Sequence, residues 1–128
     1  MKIKFVFSIL PAFVFYGTKV DGGEARGMII RINEKYLSDR GILEHELVHV
    51  RQFYKLPIIH SLFYLLIKSY RYECELEAYA EQLRWYSSGI YEDNILRFSN
   101  MLLEKYHLDI LYGRIEKDLR EKYEEINK

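Results

Sequence analysis

"GILEHELVHVRQFYK" occupies residues 41–55, and its reading decides both the fold and the chemistry of the chain. Ile42, Leu43, Leu47, Val50 and Tyr54 recur at helical spacing, and Ser38 or Asp39 stands where a helix needs an N-cap. Pro57 disfavours helix at Leu56, so the spacing predicts a helix over about 39–55. On such a helix, residues four apart share a face with Cβ atoms roughly 5–6 Å apart. His45 and His49 stand at that spacing, so both imidazoles reach one metal ion. Zn2+ suits imidazole nitrogen and accepts a tetrahedral ligand set. Glu46 follows His45 directly, which places it beside the ion and not on it, where a general base for a water molecule belongs. A solvated helix face is the competing reading. Only four histidines occur in the chain, however, and two of them stand at ligand spacing with glutamate in the required slot.

Working upstream, the period changes from helix to strand. "KIKFVFSI" and "AFVFYG" read as two strands, "TKVDGGEARG" as a loop, and "GMIIRINEKYL" as a return to strand, so strands are expected over about 2–33. The opening residues also have the two lysines and apolar run of a signal segment. Pro11 interrupts that run and no small-x-small site follows it, so paired strands are the preferred reading and a retained signal or anchor is the alternative.

Working downstream, an apolar then amphipathic stretch predicts one long helix over about 60–88, with Gly89 as its stop. Two further amphipathic helices are expected over about 92–127, weakened near Gly113. The fold class is therefore α+β: a short N-terminal sheet followed by about four helices in a single domain over 1–128. "LPIIHSLFYLLIKSY" is too short to span a bilayer and is expected in the core, with contact to a membrane surface as the secondary reading.

Composition removes other classes of function. Lys plus Arg and Asp plus Glu number 19 each, so no basic excess points to nucleic acid. Seven Phe and 12 Tyr favour a packed core. The lone Cys74 forms no internal disulfide, which suits a reducing, cytoplasmic setting.

A catalytic zinc ordinarily takes three protein ligands and one water. His60 reads as a helix-start residue and His107 as a helix-end residue that favours the dipole. Cys74 reads as a small buried hydrophobe. Glu73, Glu75 and Glu77 lie on the long helix, and at most one or two of them share a face turned to the metal.

At this point the chain resembles the gluzincin metallopeptidases, and more narrowly the soluble minigluzincins. The resemblance rests on "HELVHVRQ" at 45–52 and "ELEAY" at 75–79, and extends loosely over residues 26–88. The ligand glutamate of such families stands in an E-x-x-A pattern, which maps onto Glu75 and Ala78, with Tyr79 where relatives often carry aspartate. The resemblance implies a zincin-like fold and a zinc ion held by His45, His49 and Glu75. It also implies hydrolysis of a peptide or protein substrate with Glu46 as general base and acid. Tyr79, Arg71 and Tyr91 are the candidate donors to the oxyanion. A zinc hydrolase of a non-peptide substrate, and a metal-stabilised interaction module without catalysis, are the alternatives. A substrate strand is expected to pair with residues 28–33, and the polar end "DLREKYEEINK" is the candidate for self-blocking, with the N-terminal strands second.

Overall fold

Alternation in the first 33 residues produces a four-stranded mixed sheet in the computed structural model, which describes residues 1–105 and 112–128. The strands are β1 (Lys2–Val6), β2 (Leu10–Gly17), β3 (Gly23–Arg26) and β4 (Ile29–Asn33), in the order β1-β2-β4-β3. β1 runs antiparallel to β2, β2 parallel to β4, and β4 antiparallel to β3. β4 is thus paired on both sides and cannot accept a substrate strand, which corrects the expectation for residues 28–33. The sheet's edge strands are β1 and β3, and β3 lies inside the stretch read as a loop. Gly-Glu-Ala-Arg has no β-branched residue, so its strand state comes from pairing with β4 and not from local preference.

Five α-helices follow among the described residues: α1 (Arg40–Lys55), α2 (His60–Leu66), α3 (Lys68–Leu83), α4 (Tyr91–Lys105) and α5 (Tyr112–Ile126). Asp39 caps α1 by accepting from the Ile42 amide at 3.1 Å, and the helix ends at Lys55 ahead of Pro57. The stretch read as one long helix is two. Ile67 takes extended dihedrals, and Arg71 then donates to the carbonyls of Tyr64 and Leu65 at 2.9 and 2.8 Å. That guanidinium satisfies two oxygens left over at the end of α2. α3 stops at Leu83, six residues before Gly89.

Val6, Val14, Ile30 and Ile32 of the sheet close on Leu43, Leu47 and Val50 of α1. A second core joins Tyr72, Leu76 and Leu83 of α3 to Phe98 of α4 and Ile115 and Leu119 of α5. Each fully buried side chain of this size contributes about 1.5–3 kcal/mol. α1 is thereby held between sheet and α3, with most of its circumference buried. α2, expected in the core, is mostly exposed: Leu62, Leu65 and Leu66 face outward and His60 alone is buried. No helix among the described residues is long and apolar enough to cross a membrane. Residues 118–126 belong to α5 and pack behind α3, and no described residue of α5, β1 or β2 lines the cavity described next.

Candidate metal centre

His45 and His49 leave α1 one turn apart, and Glu75 comes from the middle of α3, which crosses that face. His45 Nε2 lies 3.3 Å from Glu75 Oε1, and His49 Nε2 lies 3.0 Å from Glu75 Oε2. One ligand atom from each residue falls within 4.8 Å of the other two, so the group could hold a metal ion. Glu73 is exposed and Glu77 half-buried, and neither joins the group.

Hydrogen bonds fix which nitrogen of each ring faces inward. Gln52 donates through Nε2 to the Cys74 carbonyl at 3.0 Å, so its Oε1 faces His49 Nδ1 at 2.9 Å. Gln82 donates through Nε2 to the Tyr86 hydroxyl at 2.8 Å, so its Oε1 faces His45 Nδ1 at 3.0 Å. Tyr86 in turn donates to Asp39, the residue that caps α1. Each Nδ1 must therefore carry a proton, so in its neutral form each ring would turn a bare Nε2 toward Glu75. Tyr64 donates its hydroxyl to Glu75 Oε2 at 2.5 Å. Glu75 Oε1 is buried and has no hydrogen-bond partner.

Lone pairs facing a carboxylate across about 3 Å need a cation between them. A proton is one answer. Burial works against charge on His49, but the Glu75 carboxylate outweighs it and pushes the imidazole up to about 9. Burial likewise raises Glu75, and the His49 and His45 rings overcome it, holding the carboxyl well below its ordinary range. Zinc is the other answer. Ligand atoms about 2.0–2.2 Å from a tetrahedral ion stand roughly 3.3–3.6 Å from one another, and the ligand atoms of this group all lie within 4.8 Å of one another. The orphaned Glu75 Oε1 and the two locked Nε2 atoms match that donor set.

A cavity of about 730 Å³ opens over these residues, lined by β3, α1, α2, α3 and α4. Glu46 stands in it, with Oε1 3.9 Å from His45 Nε2, outside the ligand group. Gly23 on the edge strand allows this. A Cβ there would lie 3.2 Å from both Cγ and Oε1 of Glu46.

The other expected residues divide. Tyr79 lines the cavity, with its ring centroid 4.5 Å from that of His45. Arg71 is occupied with the end of α2, and Tyr91 stacks on Tyr123 outside the cavity, so neither faces the centre. His60 begins α2 as expected and also lines the cavity, but its Nδ1 meets the Tyr70 hydroxyl at 2.6 Å and it is no part of the ligand group. Burial, with His49 nearby, holds its imidazole below the ordinary value. Burial pushes the Cys74 thiol up to about 12, which fits an inert side chain. His107 lies outside the described residues.

Tyr64 is the residue that sequence reading missed. No spacing rule links it to Glu75 across the bend at Ile67. Gln52 and Gln82 carried a signal, three residues after His49 and seven after Glu75, where a helix returns to the same face.

Compared with protein-family models, with curated proteins and with solved structures, the chain matches none. Its functional reading therefore rests on the chemistry of these residues.

Proposed function

We propose that the protein is a zinc-dependent peptidase with a gluzincin-type centre in a small zincin-like domain. The observation that carries this reading is the gathering of His45, His49 and Glu75 around one point, with Glu46 beside that point in an open cavity. A purely structural zinc needs no carboxylate in that position and ordinarily closes its fourth coordination place with protein.

His45, His49 and Glu75 would hold the ion, and zinc, when bound, supplies the Lewis acidity that activates water and polarises a carbonyl. Glu46 accepts the proton that the attacking water loses and returns it to the departing amine. Gln52 and Gln82 keep the two imidazoles in the ligating tautomer, and Tyr64 fixes one oxygen of Glu75. Tyr79 is the one of the three candidate oxyanion donors that lines the cavity. The free edge of β3 runs beside Glu46 and offers main-chain pairing to an extended peptide, giving affinity with little sequence preference.

Glu46→Gln tests the reading. The variant is expected to bind zinc as the wild type does and to lose about 10²–10⁴-fold in peptide hydrolysis. Cleavage at the wild-type rate would remove the catalytic assignment. Zinc retention with no cleavage by either protein would leave a metal-stabilised module instead.

A further inference from the structure

Three chain segments meet at one end of the molecule, and all of them present apolar side chains to solvent. Phe7, Ser8 and Ile9 form the turn between β1 and β2. Phe7 (φ 50°) and Ser8 (φ 69°) both sit in the left-handed region, an unfavourable state for residues other than glycine. Ile9 is 77% exposed. This tip lies against the C-terminal end of α1, because Tyr54 donates to the Pro11 carbonyl at 2.6 Å. Gly27, in the turn between β3 and β4, approaches Phe53 at the same end. The corner after α1 carries Ile58, which is 92% exposed. α2 continues from that corner with Leu62, Leu65 and Leu66 outward at helical spacing.

Charge is segregated in the same way. Residues 1–20 and 47–72, which supply the turn, the corner and α2, contain none of the chain's 19 Asp and Glu, while Arg51 and Lys55 close α1 at this end and Lys68 follows α2. Exposed Lys55 stands at the corner itself. Such an end is apolar at its tips and basic around them. A second copy fits it poorly, since a two-fold interface would set like charges against their equals. An anionic bilayer surface matches both properties.

We propose that this end docks on an anionic membrane surface, with Phe7, Ile9, Ile58 and the outward stripe of α2 entering the boundary between headgroups and acyl chains. Attachment is interfacial, since no described helix is long enough to cross. Ser61, Tyr64 and Leu65 of α2 also line the cavity over the metal centre, so docking brings its mouth close to the lipid surface.

Flotation with phosphatidylcholine vesicles, with and without phosphatidylglycerol, tests this on the whole chain. Wild type is expected to float with the phosphatidylglycerol vesicles at least tenfold better than with phosphatidylcholine alone, and less well at high salt. The double variant Ile9→Glu, Ile58→Glu should lose at least tenfold in partition with unchanged circular dichroism. Lys55→Glu should lose about fivefold to tenfold and guards against misfolding of the double variant. Leu96→Glu, an exposed apolar position on α4, should float as wild type does. The proposal falls if wild type ignores phosphatidylglycerol vesicles, or if both the double variant and Lys55→Glu float as wild type. It also falls if sedimentation shows a wild-type dimer that Ile58→Glu dissociates while neither protein binds lipid.

Discussion

Gln82 meets His45 Nδ1 at 3.0 Å while giving its own amide proton to Tyr86, so the tautomer of His45 is set from the end of α3. Removing that acceptor frees Nδ1 to lose its proton and Nε2 to gain one, which is the wrong form for binding. Gln82→Leu is expected to weaken zinc binding roughly 10–100-fold, and Gln52→Leu to do the same through His49. Competition against a chelator of known affinity measures both, and wild-type affinity in the two variants would show that the glutamines do not orient the rings.

Gly41 connects that network to the start of α1. A Cβ at this position would lie 2.6 Å from Tyr86 Cζ and 2.8 Å from its hydroxyl oxygen. The ring cannot swing aside freely, since its hydroxyl is tied to Gln82 and Asp39. Alanine inside a helix ordinarily gains roughly 0.5–1 kcal/mol over glycine. Here the clash should win, so Gly41→Ala is expected to lose about 1–3 kcal/mol in urea unfolding. A gain in stability would mean that Tyr86 has room to move.

Much of this site was legible in residues 39–55. The α1 boundaries follow from local signals, Asp39 before the helix and Pro57 after it, and the two histidines and Glu46 follow from helical spacing alone. Glu75 came from the resemblance, and its register on α3 also puts Tyr79 and Gln82 toward the centre as helical geometry requires. What escaped was tertiary. The break at Ile67 has no proline or glycine to announce it and depends on Arg71 reaching back to α2. β3 is a strand only because β4 lies beside it. Leu76 and Leu83 fit a stripe that could have packed on α1, yet they face α4 and α5, because the opposite side of α3 is taken by the ligand and its supports.

Gly23 sets how closely the edge strand approaches Glu46. A Cβ there would come within 3.1 Å of Ile42 Cγ2 and 3.2 Å of Glu46 Cγ, pressing on Glu46 without touching His45, His49 or Glu75. Gly23→Ala is expected to keep stoichiometric zinc and lose roughly tenfold to a hundredfold in kcat, since small misplacements of a reacting group are costly. Unchanged kcat would show that Glu46 tolerates the shift or takes no part.

The central claim is that His45, His49 and Glu75 form one zinc site. Its most direct test is zinc stoichiometry by elemental analysis after equilibration at fixed free zinc, across wild type, Glu75→Ala, Glu73→Ala and Glu77→Ala. One zinc per chain is expected in wild type and in the Glu73 and Glu77 variants, with little or none in Glu75→Ala. Wild type without zinc, or stoichiometric zinc in Glu75→Ala, would contradict the account.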